Sequence, residues 1–216
     1  MRPLLCLLFI LLQPATILSA DTLRGAFDAA GPGQGFDKLV ILEPGRLYTG
    51  GLLIGPLLIP ETGTFDFGKG LDVRIIGNGA VLDLRGGQIC ISYCENRLEI
   101  EDCVVLNGNI RFRGLDWEPG RIPQGAVEQV TFYAPHDYGV RIQGCGDGIA
   151  VERNLFVDAR DTGPGWIHNN SFPFDWIYTG LNVAMSTHGM PTMRNNWSFH
   201  GDPEVNASLL HHFGFL

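Results

Sequence analysis

Ile100-Glu101-Asp102-Cys103-Val104-Val105, Val127-Glu128-Gln129-Val130-Thr131-Phe132 and Val151-Glu152-Arg153-Asn154-Leu155-Phe156 are three copies of one phrase. Each runs apolar residue, Glu, polar residue, small residue, then bulky apolar residue. The copies start 27 and 24 residues apart, a weaker one begins at Ile75, 25 residues before Ile100, and a later one begins at Met193. Self-similarity at a period in the twenties is the mark of a solenoid, in which each coil buries its apolar face only against neighbouring coils.

Working outward from the phrase, each coil divides into three short strands with period-two alternation and no helix between them. The first coil gives 73–76, 80–84 and 89–92, and the second gives 98–100, 103–106 and 110–113. The third gives 127–129, 130–133 and 138–143, and the fourth 149–152, 154–157 and 181–185. Before them, 39–42, 52–54 and 57–59 read as strands separated by turn residues. Residues 21–30 form the candidate helix, with Asp21 or Thr22 as N-cap, Leu23 and Phe27 on one face, and Gly31-Pro32-Gly33 as its stop. A short amphipathic helix placed there would cover the first coil. The fold expected is all-β, a right-handed parallel β-helix with an N-terminal capping helix. In this scheme 1–20 are a leader, 21–38 the cap and 39–216 the solenoid domain.

Two stretches carry a family resemblance: Asp72-Val-Arg-Ile-Ile-Gly-Asn-Gly-Ala-Val-Leu-Asp-Leu84, and Tyr138-Gly-Val-Arg-Ile-Gln-Gly-Cys-Gly-Asp-Gly-Ile-Ala-Val-Glu-Arg-Asn-Leu-Phe156. With the opening turn Glu43-Pro-Gly-Arg-Leu-Tyr-Thr49, they resemble the pectate-lyase-like superfamily of β-helix proteins across about 39–199. The resemblance implies the fold, and for activity it implies β-elimination on acidic polysaccharide, in which arginine or lysine serves as base and carboxylates hold calcium.

The remaining features bound the class. Met1-Arg2-Pro3, the apolar run 4–12 and Leu18-Ser19-Ala20 form a secretory signal pattern, so a secreted, extracellular or periplasmic chain beginning at Asp21 is expected. No later stretch reaches transmembrane length. The 216 residues carry a net charge of −8, which opposes non-specific nucleic-acid binding. The 29 glycines and 13 prolines suit short strands and many turns. A monomer with an acidic polysaccharide or another glycan as partner is the expectation.

Alternation in the third strand of each coil sends Ile89, Ile91, Ile110, Phe112, Val140, Ile142, Leu181 and Val183 inward. One outward column then reads Cys90, Arg111, Arg141, Asn182, and the next Ser92, Arg113, Gln143, Ala184. Arg111, Arg113 and Arg141 share one patch and are the candidate catalytic residues. Like charges this close need carboxylates or an anionic ligand between them. Two enlarged connections flank the patch, 114–125 and 158–180. With 136–138 they supply Trp117, Arg121, His136, Tyr138, Trp166, Trp176 and Tyr178 as candidate sugar-binding residues, because aromatic rings beside charge suit pyranose faces and hydroxyl rims. Asp116, Glu118, Asp137 and Asp147 are the candidate calcium ligands.

Two other readings stand beside this one. The arginines could be solvated and paired with Glu95, Glu99, Glu118 or Glu128. The chain could also be a non-catalytic glycan-binding or cell-surface module. Adjacent His211 and His212 would point to opposite faces and make a poor chelate, and the other histidines are scattered through loops. Among the four cysteines outside the leader, Cys94 and Cys145 occupy equivalent turns two coils apart, about 10 Å and beyond disulfide reach. Cys103 reads as a buried thiol, and Cys90–Cys94 is the candidate disulfide. Asn196-Trp197-Ser198 is one of three glycosylation sequons.

Overall fold

The computed structural model describes residues 21–59, 63–65, 70–115, 120–134, 139–157, 166–168, 175–179, 183–186 and 191–199. For 57–59, 63–65, 166–168, 175–179, 183–186 and 198–199 it describes the backbone alone.

The recurring phrase marks a corner in the chain. Its polar residue adopts a left-handed backbone in all five copies, at Asn78 (φ 50°), Asp102 (52°), Gln129 (53°), Arg153 (58°) and Asn195 (53°). Five non-glycine residues with positive φ at one register position identify a turn that the strand makes without leaving its ladder. Val73–Asp83, Arg97–Leu106 and Gln124–Tyr133 therefore each run as one bent strand with a leg on either side of the corner. The sequence divides these into two strands. In the next coils the same path is split into Ile149–Glu152 with Leu155–Val157, and Thr192–Arg194 with Trp197–Phe199.

Stacking is parallel and follows the repeat. Ile75 lies opposite Ile100, Ile100 opposite Val127, and Val127 opposite Val151, while Ala80, Cys103 and Val130 align after the corner. Two extra residues at Gly77 and Gly79 are absorbed as a bulge between Ile76 and Ala80. The third strands, Leu52–Ile54, Gln88–Ser92, Asn109–Arg113, Val140–Gln143 and Val183–Ser186, build a separate seven-stranded sheet with Asp175–Thr179 and Trp166–His168. The last two join antiparallel. The described residues form an all-β, mostly parallel, solenoid-like stack with one helix. One register expectation changes: Val183, not Leu181, lies opposite Val140, so Ala184 rather than Asn182 follows Arg141.

Inward positions form columns through the stack. Tyr48, Leu82, Val105, Phe132 and Phe156 line one, and the Phe132 and Phe156 rings stack 4.9 Å apart with planes 4° from parallel. Phe156→Ala would leave a ring-sized cavity under Phe132 and is expected to cost about 3–5 kcal/mol in urea unfolding. A loss below about 1 kcal/mol would show that the column collapses to fill it.

The corner carries a second column, just inside the left-handed residue: Ala80, Cys103, Val130, Asn154 and Asn196. Cys103 is buried as expected, and burial pushes its thiol up to about 12. Asn154 is 1% exposed and joins three coils. Its Oδ1 accepts the Val130 N–H at 2.9 Å, its Nδ2 donates to Val127 O at 2.9 Å and to Asn196 Oδ1 at 3.0 Å, and its own N–H donates to Asn196 Oδ1 at 3.1 Å. Asn196 repeats the pattern by donating from Nδ2 to Val151 O at 2.7 Å. The sequon asparagine is thus engaged as a structural link.

At the N-terminal end the helix Leu23–Ala29 starts where expected. Thr22 caps it by accepting the Gly25 N–H at 2.9 Å, and Leu23 and Phe27 are its buried face. Lys38 donates to Ala30 O at 2.5 Å and lies over the Phe27 ring. No helix among the described residues is long and apolar enough to cross a membrane.

The three outward faces differ in chemistry. The leg before the corner presents Glu99, Glu101, Glu128 and Glu152, bridged by Arg74 to Glu101 at 2.9 Å, by Arg97 to Glu99 at 4.0 Å, and by Arg153 to both Glu128 and Glu152. The leg after it presents Val81, Val104, Leu106, Leu155 and the more exposed Tyr133 and Trp197, at 49% and 59%. The third sheet presents the arginines.

Candidate functional site

Alternation along Asn109–Arg113 buries Ile110 and Phe112 and leaves Asn109, Arg111 and Arg113 on the outer side. Parallel pairing sets Arg111 directly beside Arg141, and Arg113 beside Gln143. With strands about 4.8 Å apart and alternate residues about 6.6 Å apart, the four side chains occupy one small rectangle. This is the patch expected from the sequence, with each arginine on its expected face.

The structure adds how the rectangle is filled. Arg111 lies across its diagonal, donating from Nη2 to Gln143 Oε1 at 2.8 Å. Arg113 leans the other way, with its guanidinium 5.0 Å from the centre of the Tyr93 ring. Neither is within ion-pair distance of a carboxylate among the described residues. Of the glutamates considered as partners, Glu99 is taken by Arg74 and Arg97, and Glu128 by Arg153. Glu118 lies outside the described residues. Arg111 is half-buried, and its pKa is lowered to about 10 by burial first, then by the Arg113 and Arg141 charges. Its Nε, the Arg113 Nε and the Asn109 Oδ1 are buried without a hydrogen-bond partner.

A lowered pKa on a cation means that the fold disfavours the charged form. The cost is present at neutral pH and would be relieved only as pH climbs through about 10. Buried polar atoms without partners add to it. Exposed, paired side chains carry charge at little cost; Arg111 is half-buried and outside ion-pair distance of any carboxylate among the described residues.

No family model matches the chain, and no curated protein or solved structure matches it either. The site is therefore read from its own residues.

Two members of the outward columns behave unlike the others. Cys90, beside Arg111, is 0% exposed, and Ser92, beside Arg113, is 1% exposed. Ser92 Oγ donates to Pro56 O at 3.0 Å, so the turn at 54–56 folds over this edge. The cationic patch is thus bounded on the Gln88–Ser92 side rather than open across the sheet. Tyr93, the aromatic floor for Arg113, was missed in the sequence because it stands one residue past the alternating run. Gln143 was seen as part of the column but not as Arg111's acceptor, which depends on where a long side chain leans.

On the opposite side the backbone of the third sheet continues the Arg111–Arg141 row to Ala184 and then Tyr178. Trp176 lies opposite Ser186 and Trp166 opposite Ile177. The insertion thus brings three predicted sugar-binding positions onto the arginine sheet. Trp117, His136, Tyr138, Asp116, Glu118 and Asp137 lie outside the described residues. Arg121 precedes the strand Gln124–Tyr133, and its N-terminal neighbourhood is tied back by the Leu115 N–H donating to Arg121 O at 3.0 Å. Asp147 is exposed on the turn after Cys145. Among the described residues no three His, Cys, Asp or Glu side chains come together. Of the four candidate calcium ligands only Asp147 lies among the described residues.

The Cys90–Cys94 disulfide is not formed, and among the described residues Cys90, Cys94, Cys103 and Cys145 are not joined by a disulfide. The reason is alternation: Cys90 sits on the arginine side of its strand, while Cys94 packs in the core cluster. Burial raises the Cys90 thiol to about 11 despite Arg111 and Arg113, and it raises Cys94 as well. In the chain lacking 1–20, native protein is expected to resist a thiol reagent at pH 8, and guanidinium should expose the thiols of Cys90, Cys94, Cys103 and Cys145. Rapid labelling without denaturant would contradict the burial described here.

Proposed function

We propose that the chain is an exported right-handed parallel β-helix of the pectate-lyase-like kind, which holds an acidic polysaccharide against its arginine sheet and cleaves it by β-elimination. The observation that carries this reading is Arg111: half-buried, flanked by two cations, without a carboxylate partner among the described residues, and lowered to about 10. Arg113 and Arg141 would pair with the uronate carboxylate and so acidify the neighbouring C5–H. The neutral form of Arg111 would take that proton. The electron pair forms the C4=C5 double bond as the C4–O bond breaks, and water protonates the leaving oxygen. Tyr178, Trp176 and Trp166, on the continuing row, are candidates for stacking against the sugar.

The reaction needs Arg111 unprotonated, so the rate should climb about tenfold per pH unit from pH 7 towards 9. The test is incubation of the chain lacking 1–20 with polygalacturonate and alginate, with and without added calcium, following the ultraviolet absorbance of unsaturated uronate. Product whose rate rises with pH supports the lyase.

A second reading is a non-catalytic glycan-binding module. It is favoured by the Arg111–Gln143 hydrogen bond, which commits the fork, and by the protonation of guanidinium at neutral pH. Measurable binding with no unsaturated product at any pH would select it. Neither binding nor product would overturn both.

A further inference from the structure

The legs after the corner carry an outward face unlike the other two. Leu47, Val81, Val104, Thr131, Leu155 and Trp197 follow one another across the stack, and alongside them run Asp83, Leu106, Tyr133 and Val157. Leu47, Leu155, Tyr133 and Trp197 are 38% to 59% exposed. Asp83 is the one charged side chain among these positions, and it is tied to the following turn by accepting the Arg85 N–H at 3.1 Å and the Asn107 Nδ2–H at 3.0 Å. Single exposed apolar residues are ordinary, whereas a contiguous strip points to an interaction.

Strand spacings make the strip about 24 Å long and about 10 Å wide. Polar side chains border it along both edges, with Asp102, Gln129 and Asn195 exposed at the corner and Arg85 and Asn107 exposed at the turn. These edges carry both signs, unlike the arginine sheet, and so favour neither an anion nor a cation. A second copy of the chain would need about 800 Å² from each partner, against roughly 250 Å² of strip. A lipid surface calls for basic residues beside the apolar face. A sugar ring presents a flat C–H face and a rim of hydroxyls. An extended glycan laid along the stack would set its rings on the apolar floor and its hydroxyls against both edges. We propose that this strip is a second glycan-binding surface, for an uncharged, extended β-linked polysaccharide. It lies on a different sheet from the arginines and does not depend on the lyase reading.

The test is native electrophoresis of the chain lacking 1–20 through gels containing hydroxyethyl cellulose, galactomannan or xylan, with dextran as a flexible uncharged comparator. At least one of the first three should retard the chain, and dextran should not. Tyr133→Ala should weaken the affinity about fivefold or more, the factor expected for losing one stacked ring, and Tyr133→Trp should retain it. Leu155→Asp should abolish retardation. Circular dichroism and urea midpoints separate these effects from misfolding, and added polygalacturonate should not compete. Retardation by none of the three polymers, equal retardation by dextran, displacement by polygalacturonate, or unchanged affinity in both Tyr133→Ala and Leu155→Asp would each overturn the second surface. So would a dimer in sedimentation that Leu155→Asp makes monomeric, or binding to phosphatidylcholine vesicles that the same variant loses, since either gives the strip another occupant. The reading of the arginine sheet would stand in every one of these cases.

Discussion

Asn154→Ala is expected to lose about 3–5 kcal/mol of unfolding free energy, a large share of what a domain of this size has. The side chain is 1% exposed and serves three coils. Its removal leaves the Val130 N–H and the Val127 carbonyl unpaired inside a packed corner, and deprives Asn196 of one of its two donors. Each orphaned buried group costs about 1–3 kcal/mol, because water cannot replace the lost partner there. Urea unfolding of parent and variant measures it. Asn154→Asp separates hydrogen bonding from packing, since it keeps the volume but turns the Nδ2 donor into an oxygen facing the Val127 carbonyl and Asn196 Oδ1. A carboxyl so placed has its folded pKa raised. The deficit relative to the parent should therefore shrink as pH falls below the ordinary carboxylate range, and be complete above the folded pKa. A variant within about 1 kcal/mol of the parent at pH 7 would mean that the corner is held by backbone pairing alone.

Arg111→Gln should reduce unsaturated-product formation about 10²- to 10⁴-fold, the range that a positioned base contributes, and abolish the rise of rate with pH. Binding to an acidic glycan should fall too, because a half-buried cation and its tie to Gln143 are both lost. Arg111→Lys keeps the charge on a side chain with an ordinary pKa nearer 10, so partial activity with a retained pH slope is expected. A rate in Arg111→Gln within threefold of the parent would remove Arg111 from the chemistry. Arg141→Gln, the neighbour across the strand pair, should weaken binding while leaving the pH slope in place.

How much of this was legible in the chain depends on which physical constraint each feature answers to. The repeat of Ile100, Val127 and Val151 gave the stacking partners correctly, because equivalent positions in a solenoid must pair if the apolar columns are to meet. It also gave the Arg111–Arg141 pair and the buried thiol of Cys103. It failed after the insertion: the apolar residues Leu181 and Val183 both fit the alternation, and only the pairing with Val140 selects Val183. Cys90–Cys94 failed for a related reason, since closeness in sequence says nothing of facing.

The sequence by itself determined that this chain stacks, at what period, and which side chains share a column, because backbone pairing makes register a property of spacing alone. Only the tertiary structure decided that the phrase is a left-handed corner, that Asn154 ties three coils, and that the outward column is not uniformly exposed. Cys90 and Ser92 are covered while Arg111 is half-open, since burial depends on which turn folds over a face, here 54–56. The lean of Arg111 towards Gln143 likewise follows from the space its neighbours leave.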